Sequence, residues 1–143
     1  MIIVKEALDQ VALGKDFDSI VDVLRDLTPE QAVLRPHPKL SSIATVVWHM
    51  WFWNDRWVKQ VSDVHCEPFS EEGSDFREIE LAEWVDLRDR FFTDFQTLRE
   101  LSNHVNVFTK PTQYGDSVEV IFLRAALHSA YHVGQIVQLR TLI

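Results

Sequence analysis

Three of the six histidines stand where they could bind a metal ion. His128 and His132 are four residues apart in an apolar segment, so on a helix their imidazoles lie one above the other. His49 lies between Trp48 and Met50 in a second apolar segment. Three imidazole nitrogens on one ion leave coordination positions for water or a substrate, as in catalytic sites. The spacing also permits core histidines that hydrogen-bond to nearby carbonyl groups, so both interpretations remain open.

A helical projection at about 100° per residue places the paired histidines in one narrow stripe of the last helix. The stripe contains Ile121, Ala125, His128, His132, Gln135 and Leu139. Because burying unpartnered imidazoles is costly, one ion shared by all three histidines would satisfy them as neutral ligands.

Weaker substrate-binding candidates lie beside these histidines. Arg56 projects near His49, two turns further along the helix, where it could hold a carboxylate of a thiol or a substrate. The alternative for Arg56 is a salt bridge to an acid on the first or third helix. Gln135 could orient an imidazole or bind a ligand, or form a plain interhelical hydrogen bond. Trp53 could form a pocket wall, whereas the other tryptophans of that helix are assigned to the core.

The remaining histidines and the single cysteine fall in or beside predicted breaks. We expect His37, His65 and His104 to be exposed to solvent. Cys66 has no partner for an intramolecular disulfide or a cysteine-based zinc site, which suits a reducing cytoplasm. It could be a reactive thiol, although its spacing does not single it out.

The elements that must position these residues are four long helices. Apolar residues at helical spacing predict them over about residues 3–27, bent near Gly14, and over about 41–62, 81–104 and 116–142. Thr28 and Gln31 form a predicted capping box that starts a short extra turn, and Asp116 with Glu119 forms another. Residues 63–75 are predicted to be the longest loop. The sequence therefore predicts an all-α, four-helix bundle as one domain over residues 1–143.

Composition excludes several classes of partner. The net charge of −8, from 22 acidic and 14 basic residues, would repel a nucleic acid. The chain has no signal-peptide pattern and no apolar run near the 18 or so residues that cross a bilayer, so we expect no membrane association and a cytoplasmic location.

A stripe of small residues lies opposite the histidines on the last helix. It contains Leu123, Ala126, Ala130, Gly134 and Val137. Small residues let helix backbones approach closely, either within the bundle or across a homodimer interface, and the sequence does not separate these interpretations.

Residues 126–140, ALHSAYHVGQIVQLR, and residues 43–49, IATVVWH, carry a family resemblance. The first segment is similar to the H-x3-H-x-G-Q-I pattern in the last helix of the DinB/YfiT-like family, and the match covers essentially the whole chain. The resemblance implies an up-down-down-up four-helix bundle, often dimeric, and a divalent metal, commonly nickel or zinc. It maps the ligands onto His49, His128 and His132.

The resemblance also suggests a reaction. Characterised relatives include metal-dependent transferases or isomerases that use low-molecular-weight thiols such as bacillithiol or mycothiol. We therefore expect a thiol-dependent S-transferase in which the metal activates a thiol cosubstrate against a small-molecule electrophile. The alternatives are a metal-dependent hydrolase and a non-catalytic, stress-associated metal-binding module.

Overall fold

The computed structural model describes residues 2–70, 75–104 and 111–143. Within these ranges the chain forms six α-helices, one 3-10 turn and no β-strand. They are α1 (Ile2–Leu13), α2 (Ile20–Arg25), α3 (Pro29–Val33), α4 (Ile43–Val61), the 3-10 turn Leu81–Glu83, α5 (Trp84–Leu101) and α6 (Val118–Arg140). The all-α class is confirmed. The up-down-down-up order and the single domain over residues 1–143 stay predictions.

The first predicted helix is two helices rather than one bent helix. Gly14 ends α1 with a φ of 66°, a left-handed conformation that favours glycine. A Cβ at this position would lie 2.7 Å from the backbone nitrogen of Ser19. The chain restarts as α2 when the Ser19 side chain accepts a hydrogen bond from the Asp22 amide.

Side-chain caps fix the starts of the next helices. The predicted capping box of Thr28 and Gln31 is present at α3. Ser42 caps α4 by accepting a hydrogen bond from the Thr45 amide, within one residue of the predicted start at about residue 41. The long loop then begins after α4, and its residues 71–74 lie outside the described ranges.

The predicted cap of the last helix is wrong by one residue. Ser117, rather than Asp116, accepts the hydrogen bond from the Val120 amide at the start of α6. The Asp116 carboxylate binds the guanidinium group of Arg124 instead. A carboxylate that pairs with a charged donor forms a stronger hydrogen bond than one that accepts from a neutral amide, which favours this arrangement.

The core places α4 and α6 against each other. α4 packs against both α5 and α6, and α6 also packs against α1. The largest fully buried side chains include Met50 of α4, Trp84 and Phe91 of α5 and Phe122 of α6. This packing brings the His49 face of α4 to the histidine stripe of α6. None of the helices in the described ranges is both long and apolar enough to cross a membrane.

The segment before α5 is tied down by Arg77. The Arg77 guanidinium group makes two hydrogen bonds to the Glu83 carboxylate, at 2.7 and 3.2 Å, and lies 3.9 Å from the ring centre of Trp48 on α4. Arg77 therefore fixes the path of the chain immediately after Asp75.

Helix α5 ends at Leu101, so the predicted end near His104 is three residues too late.

Asp94 of α5 provides a test of the packing between α4 and α5. Burial, together with the nearby charge of Asp55, raises the pKa of Asp94 from 3.8 to about 6. A carboxyl group whose pKa is higher in the folded state stabilises the fold fully below the unfolded pKa. That contribution is lost as the pH rises through the folded pKa.

We therefore expect Asp94→Asn to raise the free energy of unfolding at pH 8 and to leave it nearly unchanged at pH 3.5. The gain should stay below about 1 kcal/mol because Asp94 is only half-buried. Urea unfolding at the two pH values measures the difference, with the exposed Asp89→Asn as the control. An equal effect of Asp94→Asn at both pH values would contradict the raised pKa.

Candidate metal centre

The structure brings three histidines from two helices into one cluster. The Nε2 atom of His128 lies 2.9 Å from Nε2 of His49 and 3.2 Å from Nε2 of His132. One nitrogen from each of the three rings lies within 4.8 Å of the others. His49 and His132 are buried and His128 is half-buried. The structure thus brings together the three histidines that the sequence analysis named.

The far side of two rings is held by acceptors. His49 Nδ1 lies 3.2 Å from both the backbone oxygen and the carboxylate of Asp75. His132 Nδ1 lies 2.8 Å from Oε1 of Gln135. Because both acceptors are oxygens, each Nδ1 carries the proton and each Nε2 keeps a free lone pair. Both lone pairs belong to the nitrogens that face His128.

The environment keeps the imidazoles neutral. Burial lowers the pKa of His49 and of His132, and in His49 it outweighs the opposing effect of the Asp75 carboxylate. Burial, followed by the proximity of His132 and His49, lowers the pKa of His128 to about 3. The contact of His49 with Asp75 is therefore a hydrogen bond donated by a neutral ring rather than an ion pair.

This donor set fits a divalent metal. Neutral imidazole nitrogens are ligands for zinc and nickel, and two nitrogens bound tetrahedrally at about 2.0–2.1 Å from one ion lie roughly 3.3 Å apart. The Nε2 separations of 2.9 and 3.2 Å are close to that value. Oxygen acceptors behind His49 and His132 hold their rings as such a site requires. Compatibility with metal binding thus rests on both spacing and tautomer.

An aromatic ring contacts each of the three histidines. Phe76 stacks on His49 with ring centres 4.0 Å apart, and Trp57 packs edge-on against His128 at 5.3 Å. Tyr131 packs against His132 at 5.0 Å. These contacts restrict rotation of the imidazoles and lower the dielectric constant around them.

Asp75 is the residue that sequence reasoning missed. Its carboxylate also accepts a hydrogen bond of 2.9 Å from Nε1 of Trp53, so it joins Trp53 to His49. Asp75 lies 26 residues after His49 in a loop with several other acids, and no helical spacing links the two positions. Only the folded path of this loop could reveal the contact.

The weaker site candidates have mixed outcomes. Gln135 contacts the His132 ring, as one of the alternatives expected, and Trp53 lies beside the cluster through Asp75. Arg56 donates from Nη2 to the backbone oxygen of Glu67 and lies over the rings of Phe52 and Trp53. The ion pairs of the acids on the first and third predicted helices do not involve Arg56, so the alternative of a salt bridge to one of them is wrong for the described residues.

The other histidines and the cysteine stay outside the cluster. His37, His65 and His104 are exposed, as predicted. Cys66 is a buried free thiol. Its backbone nitrogen and oxygen each form a 3.0 Å hydrogen bond with the side-chain amide of Gln113. This double contact holds the loop after α4 against the connection that precedes α6.

The comparisons with known proteins agree with the motif. The sequence profile of the DinB superfamily matches residues 12–136, a range that includes all three clustered histidines. Searches of curated proteins and of solved structures return no match. The profile spans most of the chain and the cluster lies within it. The chain therefore belongs to the DinB superfamily.

Proposed function

We propose that His49, His128 and His132 bind one divalent metal ion, either nickel or zinc. The observation that carries this proposal is the orientation of the rings. Their Nε2 atoms converge, while Asp75 and Gln135 accept hydrogen bonds from the opposite nitrogens of His49 and His132. Three protein ligands leave room in the coordination sphere for a small molecule.

The reaction that we propose is transfer of a low-molecular-weight thiol to an electrophile. When bound, a divalent ion supplies Lewis acidity, which lowers the pKa of a coordinated thiol or, in a hydrolase, of water. In the transfer, sulfur forms a bond to the electrophilic carbon, the leaving group departs with its bonding pair, and the thiol proton passes to solvent. Asp75 and Gln135 orient the imidazoles, and Phe76 and Trp57 exclude water around His49 and His128.

We also propose that two copies of the chain associate through the outer face of α6. Val120, Leu123, Leu127 and Tyr131 form one stripe there, and Leu127 and Tyr131 are 63% and 72% exposed. The small residues of α6 have different surroundings. Ala126 is buried within the bundle, whereas a Cβ at Gly134 would have no heavy atom within 4 Å among the described residues. Gly134 is thus free to allow close approach of a second copy.

Substituting His128 by alanine should remove most of the bound metal, because the ring supplies the nitrogen that faces both other ligands. Asp75→Ala should weaken metal affinity less, by about tenfold, since it removes only the support behind His49. Elemental analysis and competition with a chelator measure both effects, with the exposed His37→Ala as the control. A full equivalent of metal in His128→Ala would overturn the ligand assignment.

Turnover of an electrophile should require both metal and thiol. The metal-loaded protein is incubated with 1-chloro-2,4-dinitrobenzene, with and without bacillithiol, mycothiol or glutathione, and chloride release and the thioether product are measured. The expected result is thiol-dependent product formation faster than the uncatalysed reaction, falling to the uncatalysed rate with His128→Ala. In a parallel assay, ester and amide substrates are hydrolysed with and without thiol. Turnover of these substrates at a rate that does not depend on added thiol would contradict the transferase and favour the hydrolase.

Leu127→Asp should convert a dimer into monomers, because it places a charge in the centre of the exposed apolar stripe. Light scattering coupled to size-exclusion chromatography gives the mass of each form. Val85→Asp, at an exposed apolar position on α5, is the matched control and should keep the dimer mass. An unchanged mass for Leu127→Asp would rule out this interface.

A further inference from the structure

A cavity of about 310 Å³ lies beside the histidine cluster. Four aromatic side chains form part of its wall: Trp53 and Trp57 of α4, Phe69 of the following loop, and Tyr114. The Trp53 ring centre lies 5.4 Å from that of Phe69 and 6.1 Å from that of Trp57. Flat apolar walls of this kind favour a planar, apolar ligand.

The cavity and the cluster share a boundary. Trp57 lines the cavity and packs edge-on against His128. Arg124, also in the lining, lies one turn before His128 on α6, or about 6 Å along the helix axis. The cavity therefore adjoins the cluster through the Trp57 ring, and none of the three histidines is in its described lining.

The charged groups of the lining favour an anion. The described lining contains two guanidinium groups, those of Arg56 and Arg124, against one carboxylate, that of Asp116. This local excess of positive charge stands out in a chain whose net charge is −8. A carboxylate in the cavity would balance it.

Both arginines keep hydrogen-bond donors for a ligand. Arg124 binds Asp116 through its two terminal nitrogens, and Arg56 uses Nη2 for the Glu67 backbone oxygen. Each guanidinium group has five N–H donors, so these contacts leave others unused. The rings of Phe52 and Trp53 keep the Arg56 group in place.

We propose that this cavity binds a small organic molecule that combines a planar apolar body with a carboxylate. The body lies against Trp53, Trp57 and Phe69. The carboxylate binds Arg124 and Arg56, in competition with Asp116 for the Arg124 donors. This inference rests on the proposed function, because it names the class of molecule that is presented to the same histidine cluster.

Two substitutions should change affinity in opposite directions. The probe is 2-naphthoate, titrated by calorimetry into the metal-loaded protein at fixed ionic strength. Arg124→Gln should weaken binding by about tenfold, since it removes a charged donor. Asp116→Asn should tighten binding by about threefold, since it frees Arg124 from its competitor. The neutral isostere 2-naphthamide should bind the unmodified protein at least about tenfold more weakly than 2-naphthoate.

The controls are a second arginine and a second acid on the surface. Arg25→Gln and Asp86→Asn each break an exposed ion pair outside the cavity and should leave affinity for 2-naphthoate unchanged. If Arg124→Gln and Asp116→Asn also leave it unchanged, the carboxylate is held elsewhere and the proposal is wrong. Equal affinity for acid and amide would overturn it in the same way. Circular dichroism verifies that each variant is folded.

A competition experiment identifies the source of the carboxylate. Glutathione and bacillithiol carry carboxylates of their own, so either the thiol or the electrophile could bring the anion. Arg124-dependent displacement of 2-naphthoate by a thiol assigns the anion to the thiol, and simultaneous binding assigns it to the electrophile. Both outcomes support the cavity. Because these measurements need no turnover, their failure is distinct from failure of the transferase reaction.

Discussion

The packing of α4 against α6 places three imidazole rings where burial disfavours their charged forms. Burial lowers the pKa of each ring, so each ring is neutral and carries a proton on only one of its two nitrogens. In His49 and His132 this proton is on Nδ1, because an oxygen acceptor lies next to that nitrogen. The inner lone pairs of His49 and His132 then both face Nε2 of His128, which is the arrangement on which the proposed metal site rests.

The loop before α5 holds the His49 ring in this orientation. Asp75 belongs to a loop, and a loop alone orients a side chain poorly because its backbone has few fixed contacts. Arg77 compensates by joining the loop to Glu83 and to the face of Trp48. Phe76, which lies between Asp75 and Arg77 in the sequence, stacks on the His49 ring. Three consecutive residues thus connect the orientation of His49 to the packing of α4.

Sequence periodicity identified the helices and the three histidines because both depend on local spacing. Ser42 and Thr28 mark helix starts through contacts with residues three positions away, which a sequence displays directly. The sequence predicts a bend at Gly14. The helix ends there instead, because Gly14 adopts a left-handed backbone conformation that glycine permits but does not require. Asp75, the Gln113 contacts and the cavity arise between segments distant in the chain, so no local pattern contains them. The superfamily was indicated by the sequence motif of residues 126–140, because helical periodicity alone does not distinguish one helical family from another.

The Gln113 side chain has a consequence for how this protein can diversify. Its amide offers one donor and one acceptor to the backbone of Cys66, as a neighbouring peptide group would in a sheet. Such a contact uses only the backbone atoms of Cys66, so it does not depend on which side chain occupies position 69. Substitution of Phe69 can therefore alter the cavity wall while the loop keeps this attachment. The shape of the cavity can thus change without loss of the contact that holds the loop.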